Sequence, residues 1–260
     1  MNPDLEKLEK VLASEVNVLE DELVDRLATI MSGLDRGNTG ALHTHSGIFW
    51  ALTRVFGCYD QLAAACEEYT RSRADELTFV AALEVEHFLI RLRALLDEVA
   101  YAIRTRLPKT VRGLSEPGGP GPFEQKQFSI TALLKFSNKH PHFCRHLTRL
   151  LENNENDIRR FIELRDDIAH FRAKAVVFSG SSMSVGFIGA RQIPNTTIIE
   201  HSDLLKYIHD AMIWFWRFLQ LDVVEYFRGR VEDGKLKFQP LGLGLSRITM
   251  PGIRRFKALL

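Results

Sequence analysis

Apolar residues recur at three- and four-residue spacings along most of the chain, which is the period of an amphipathic helix. The first apolar stripe runs from Leu5 to Ile30. Asn2 and Pro3 mark its beginning, because asparagine caps a helix and proline fits the first helical turn. Gly33 marks its end. The pattern therefore predicts one continuous N-terminal helix over residues 3–33.

Similar stripes and breaks predict the rest of the helices. They are expected at about residues 46–73, 74–107, 129–137 and 141–152, from Asn154 or Asn156 to His170, and from Ser202 to about Arg228. The Pro- and Gly-rich segment 116–124 is predicted to be an exposed loop, because it cannot form regular structure.

After His170 the pattern changes to short β-branched and aromatic runs. Residues 175–178 and 184–188 predict a β-hairpin, and residues 196–199 a third strand. Weak strands are also expected at residues 235–238 and 245–248. The predicted fold class is therefore mainly α: an up-and-down helical bundle with an inserted β-hairpin and a short, strand-like C-terminal tail. Its expected divisions are an N-terminal helix (1–45), a helical domain (46–232) and a basic tail (233–260).

Composition narrows the class of protein. The chain is 45% hydrophobic and 26% charged, which is ordinary for a globular protein and argues against disorder. Its apolar stretches are too interrupted for a membrane span, and its acidic N-terminus is unlike a secretory signal. The cysteines Cys58, Cys66 and Cys144 form no CxxC pair, so we expect a cytoplasmic protein without a disulfide framework.

One short segment carries candidate chemistry. Arg165 and His170 form an Arg-x4-His pattern near the end of an amphipathic helix, with Asp166 directly after the arginine. Histidine moves protons near neutral pH, and the arginine fork suits phosphate oxygens. The pair therefore suffices for metal-independent attack of an RNA 2′-hydroxyl on its neighbouring phosphate. Asp166 lies four positions before His170, and the spacing predicts a hydrogen bond between them.

This segment resembles the motif of the HEPN superfamily. HEPN proteins carry an Arg-x4–6-His motif with a polar residue after the arginine and small apolar residues before the histidine, as Ile168 and Ala169 are here. The resemblance implies a helical bundle acting as an endoribonuclease with Arg165, Asp166 and His170 at its site, in a toxin or defence context. It also implies a homodimer in which two motifs meet, and a possible antitoxin partner. Two alternatives stay open: a non-catalytic HEPN-like interaction or RNA-binding module, and a simple capping and salt-bridge cluster.

RNA binding would depend on local basic patches, because a net charge of +1 exerts no general attraction on nucleic acid. The side chains expected to contact RNA are Arg159, Arg160, Arg172 and Lys139. A solvated helix surface is the alternative interpretation of these residues.

The sequence evidence for a metal site is weaker than that for the Arg-x4-His segment. Glu84 and His87 form a single ExxH, and no second one exists for a di-iron site. His142 and His146 lack the glutamate of an HExxH zinc motif. His43 and His45 are expected in a loop. The sequence therefore predicts no metal and no cofactor.

Overall fold

The computed structural model describes residues 2–13, 23–34, 39–107, 129–170, 172–189, 199–201, 203–239, 246–248, 250 and 252–258. The fold is mainly helical, as predicted. Its helices are α1 (Pro3–Leu12), α2 (Arg26–Leu34), α3 (Thr39–Ser72), α4 (Glu76–Thr105), α5 (Ile130–Lys139), α6 (Arg145–Ala169), α7 (Leu204–Arg217), α8 (Val224–Glu232) and α9 (Ile253–Lys257). A π-helical segment, Phe218–Val223, joins α7 to α8. The strands are β1 (Leu23–Asp25), β2 (Lys174–Phe178), β3 (Ser184–Ile188), β4 (Ile199–His201) and β5 (Ser246–Ile248).

The chain divides into two compact units. Unit 1 comprises Met1–Ala51, Leu95–Glu155 and Arg217–Thr249, and unit 2 comprises Leu52–Ala94, Asn156–Trp216 and Met250–Leu260. Each unit draws on three separate stretches of chain. The expected segments 1–45, 46–232 and 233–260 are consecutive stretches and stay a prediction.

The predicted continuous N-terminal helix is wrong. Helix α1 ends at Leu12, and β1 pairs antiparallel with β5, with Leu23 opposite Ile248. Residues 14–22 lie outside the described residues. A new helix begins at Arg26, whose N–H donates to Gln220 Oε1 at 2.8 Å, while the buried Asp25 carboxylate accepts from Gln220 Nε2 at 3.0 Å. Residues far along the chain, Gln220 and strand β5, therefore hold this segment in a strand followed by a new helix, although its apolar spacing is that of one continuous helix.

The predicted helix start at Asn154 or Asn156 is also wrong, because α6 runs through both residues without a break. Asn154 is buried, and its Nδ2 donates to the Leu150 carbonyl at 3.0 Å and to Asp222 Oδ2 at 3.1 Å. These bonds use both N–H groups of the side chain that was expected to begin a helix. The helix expected from about residue 129 is found as α5, and Ser129 caps it: the Ser129 Oγ accepts from the Ala132 N–H at 3.2 Å.

The predicted hairpin is confirmed in unit 2. Strands β2 and β3 pair antiparallel, and β4 adds to β3. The Tyr69 hydroxyl fixes the hairpin turn, accepting from the Gly180 N–H at 3.0 Å and donating to the Gly180 carbonyl at 3.1 Å. The third strand was expected at 196–199; Ile199 lies in β4, and residues 196–198 lie outside the described part of the chain.

Two other local expectations are wrong. Residues 235–238 form no strand; instead the buried ring of Phe238 packs against Gly33, where a β-carbon would collide with it. Residues 43 and 45 lie within α3, not in a loop. The expected loop at 116–124 lies outside the described residues. The expected strand at 245–248 corresponds to β5.

Aromatic packing organises the core of unit 2. The ring of Phe56 contacts Trp216 and Phe256 edge to face, with centroids 6.2 and 5.4 Å apart. Phe256 belongs to α9, which sequence reasoning did not predict. Arg255 fastens this helix to α3 through a two-pronged pair with Glu67, at 3.0 and 3.1 Å. The basic C-terminal residues are thus part of the packed unit.

Within the described residues, no helix is both long enough and apolar enough to cross a membrane.

Candidate functional site

The Arg-x4-His segment lies at the C-terminal end of α6, in unit 2. The helix ends at Ala169, and His170 follows in a turn. The His170 N–H donates to the Asp166 carbonyl at 3.1 Å, and the Arg172 and Ala173 N–H groups both donate to the Asp167 carbonyl, at 2.7 and 3.0 Å. These bonds satisfy the carbonyls of Asp166 and Asp167 in the last turn of the helix. They hold the backbone of the turn that contains His170.

Asp167 is the buried anchor of this helix end, a role that sequence reasoning missed. Its side chain is only 3% exposed, and its Oδ1 lies 3.1 Å from Arg172 Nε in an ion pair. Arg172, one of the predicted RNA contacts, is therefore tied to the motif from the far side of the turn. The position of Asp167 directly before the buried Ile168 was the available signal, because a carboxylate beside core residues needs a partner.

Arg165 and Asp166 form an ion pair at the surface. The Nη1 of Arg165 donates to Asp166 Oδ1 at 2.8 Å, and the two side chains are 35% and 39% exposed. The side-chain bond predicted between Asp166 and His170 is wrong. The Asp166 carboxylate accepts from Arg165 instead, although the His170 N–H keeps the i,i+4 backbone bond to the Asp166 carbonyl. Its imidazole is exposed and has no hydrogen-bond partner among the described residues.

The predicted RNA contacts lie in both compact units. Arg159, Arg160 and Arg172 are exposed and lie in unit 2, as the Arg-x4-His segment does. The guanidinium of Arg160 lies over the Tyr207 ring, 5.7 Å from its centroid. Lys139, the exposed last residue of α5, belongs to unit 1. Unit 2 therefore contains every predicted site residue except Lys139.

A groove between α6 and α7 lies in the same unit. Its volume is about 380 Å³, and its lining consists of Asp157, Arg160, Phe161, Asp203, Lys206, Tyr207, Asp210, Ala211 and Trp214. Sequence reasoning missed it. The available signal was the i, i+3, i+4 spacing of Asp157, Arg160 and Phe161 on one face of a helix.

Charges inside this groove are only partly paired. Lys206 Nζ binds Asp210 Oδ2 at 2.9 Å, and Asp203 Oδ1 caps α7 by accepting from the Lys206 N–H at 2.8 Å. Ser202, where this helix was predicted to begin, lies outside the described residues. By contrast, Asp157 and Arg160 form no ion pair within the described part of the chain. Two carboxylates, those of Asp157 and Asp203, and the Arg160 guanidinium thus line the groove without a charged partner among those residues, and Asp203 is already engaged as the cap of α7.

A second cavity, of about 390 Å³, lies in unit 1 beside the N-terminal end of α6. Its His146 contacts Asp233, Nε2 to Oδ2 at 3.2 Å, and packs on the backbone of α8 at Gly229. The Glu84–His87 pair in unit 2 is an exposed contact of 3.4 Å. Over the described residues, no three His, Cys, Asp or Glu side chains are grouped so as to hold a metal ion.

Comparisons of the chain with protein-family models, with curated proteins and with solved structures find no match. The likeness to HEPN proteins therefore depends on the motif at the end of α6. Any function it implies is a proposal.

Proposed function

We propose that this protein is a metal-independent endoribonuclease of HEPN type, with Arg165 and His170 as its catalytic residues. The observation that supports this most directly is the state of His170: an exposed imidazole with no hydrogen-bond partner among the described residues, on a backbone fixed by bonds to Asp166 and Asp167. A proton-transfer group must reach its substrate, and this one is open to solvent. Arg165, five residues earlier, supplies a permanent, partly exposed cation.

The chemistry is a transfer of phosphate between two oxygens of RNA. His170 takes the proton of a ribose 2′-hydroxyl, and that oxygen forms a bond to the adjacent phosphorus as the bond to the 5′-oxygen breaks. The products are a 2′,3′-cyclic phosphate and a 5′-hydroxyl end, with the leaving oxygen taking up a proton. Arg165 stabilises the negative charge that builds up on the phosphoryl oxygens. Asp166 positions Arg165 through their ion pair.

Substrate binding uses the exposed cations of unit 2 near the motif in sequence. Arg159, Arg160 and Arg172 contact phosphates, and Lys139 of unit 1 is a further phosphate contact. Because each phosphate contact releases counterions, the affinity for RNA falls as salt rises. The protein acts in the cytoplasm as a homodimer whose two motifs meet, in a toxin or defence role with an antitoxin as partner.

The test is product chemistry without metal. Purified protein in excess EDTA is incubated with a synthetic RNA and with the same sequence carrying 2′-O-methyl groups, which lack the nucleophile. We expect cleavage of the RNA alone, with 2′,3′-cyclic phosphate and 5′-hydroxyl ends. Cleavage of the methylated strand, or a strict requirement for Mg²⁺, would contradict the proposal.

A non-catalytic RNA-binding module is the second candidate. The observation that favours it is the Arg165–Asp166 ion pair. The Asp166 carboxylate already neutralises the Arg165 guanidinium, which the catalytic mechanism needs for the phosphate. Under this alternative, a gel-shift experiment shows salt-sensitive RNA retention while the RNA stays intact.

A further inference from the structure

We infer that the groove between α6 and α7 is a subsite for an unpaired guanine nucleotide of the RNA substrate, with Asp157 binding the base and Arg160 the phosphate. This inference rests on the proposed function and adds a base preference to it. The groove, of about 380 Å³, is within the range of roughly 300–1,000 Å³ that small-molecule sites have. It lies wholly within unit 2.

Asp157 and Arg160, which have no ion-pair partner among the described residues and take no part in capping a helix, define the ligand. Asp157 and Arg160 are three residues apart on α6, so they lie on the same helix face, yet they form no ion pair with each other. A free phosphate would be repelled by Asp157, and a purely cationic ligand by Arg160. A nucleotide satisfies both, because its base edge donates hydrogen bonds and its phosphate is an anion.

The carboxylate selects among the bases. Two oxygens of one carboxylate accept two parallel N–H groups. Guanine presents two adjacent donors on its Watson–Crick edge, the ring N–H and the exocyclic amino group. Adenine, cytosine and uracil each place an acceptor beside their donor, so one oxygen of Asp157 would face another lone pair.

Aromatic side chains complete the subsite. Trp214 lines the groove, and its ring is held by Phe161 at a centroid distance of 5.1 Å. Unpaired RNA bases stack on such rings. Phe161 lines the groove, and Arg165 lies four residues further along α6 on the same helix face. A base in the groove therefore lies on the Arg165 side of α6.

Nucleotide binding tests the inference without requiring cleavage. Guanosine, adenosine, cytidine and uridine 5′-monophosphates are titrated separately into the full-length protein at low salt by calorimetry. We expect guanosine monophosphate to bind about tenfold or more tightly than the others. Asp157→Asn should remove that preference, while the matched control Glu163→Gln, which removes one charge from an exposed position of the same helix, should keep it.

Each outcome has a distinct meaning. Equal binding of all four nucleotides, no binding at millimolar concentration, or an unchanged preference in Asp157→Asn would overturn the inference. So would tight, Asp157-dependent binding of an arginine-rich peptide in place of nucleotides. If guanosine monophosphate binds as expected but RNA is not cleaved, the ribonuclease proposal fails and the subsite remains. If RNA is cleaved without any Asp157-dependent base preference, the subsite alone fails.

Discussion

Arg165 and Asp166 are consecutive residues of α6, and their side chains meet at 2.8 Å, guanidinium Nη1 to carboxylate Oδ1. Consecutive helical residues point about 100° apart, so the long Arg165 side chain must bend towards the short Asp166 carboxylate to make this bond. Asp166 is therefore the partner of Arg165, and the His170 imidazole has no carboxylate partner among the described residues. In the proposed mechanism Asp166 is thus a positioning residue for Arg165.

Replacing Asp166 with asparagine tests that role. Asp166→Asn keeps the shape of the side chain but removes the charge that holds Arg165, so we expect kcat for RNA cleavage to fall about tenfold while KM changes little. Because the pair is exposed, the free energy of unfolding should change by less than about 1 kcal/mol. Steady-state kinetics and urea unfolding measure both. Asp166→Glu should recover part of the rate, and a variant with unchanged kcat would show that the ion pair has no catalytic role.

The contact between Gly229 and His146 predicts a stability effect in unit 1. A β-carbon at position 229 would collide with the imidazole, so Gly229→Ala should lower the free energy of unfolding by about 1–3 kcal/mol. In a His146→Ala background the same substitution should cost much less. Urea denaturation of the four proteins in this double-mutant cycle measures the coupling.

Gly57→Ala is the matched control, since position 57 also lies in a helix but a β-carbon there would meet no described atom within 4 Å. Alanine favours helix, so this variant should gain about 0.5–1 kcal/mol. Equal losses at both glycines would show that the imidazole contact is not the cause.

His209 predicts a pH dependence in unit 2. Its ring lies against Tyr59, 5.6 Å between centroids, and burial lowers the pKa of the imidazole, against the opposite effect of Asp203 and Asp210. As pH falls below 6.5, the unfolded chain therefore takes up this proton first. The stability that comes from the neutral ring is present above that pH and is lost as pH falls through the lowered pKa.

NMR titration of the imidazole resonances measures this shift directly. We expect the midpoint of His209 in the folded protein to lie below that of the urea-unfolded chain. In His209→Gln, this component of the acid destabilisation should disappear. A folded midpoint at or above the unfolded one would contradict the prediction.

Local patterns were sufficient for much of the fold. The helix predicted at 74–107 is found at Glu76–Thr105, and the predicted hairpin is found within one residue, at Lys174–Phe178 and Ser184–Ile188. Both depend on interactions between near neighbours in sequence: an apolar helical stripe in one, a tight turn between alternating strands in the other.

The failures have long-range causes. The stripe through Leu23 continues a helical period, but that residue pairs with Ile248 near the other end of the chain. Asn154 has the chemistry of a cap, but Asp222 supplies a partner that keeps it inside a helix. Neither partner is visible in a local window, and tertiary contacts override local preference.

The candidate site divides in the same way. Arg165 and His170 could be proposed as a site from the sequence alone, because their chemistry and helix-end position are local properties, and that assignment stays a prediction. The groove that joins Asp157 to Trp214 was not, since it exists only where α6 and α7 pack together. The partner of the Asp166 carboxylate was also mistaken, because the adjacent Arg165 binds it instead of His170.

The central claim is that Arg165 and His170 cleave RNA, and the most direct measurement compares initial cleavage rates of four variants in EDTA. Arg165→Ala and His170→Ala are set against Arg71→Ala and His142→Ala, which remove exposed residues of the same types elsewhere. Loss of a catalytic group costs roughly 10²–10⁴-fold, so the first two should lose at least a hundredfold of the rate and keep wild-type unfolding curves. The two controls should cleave as wild type does. Wild-type rates in Arg165→Ala and His170→Ala, or intact RNA with the wild-type protein, would contradict the account.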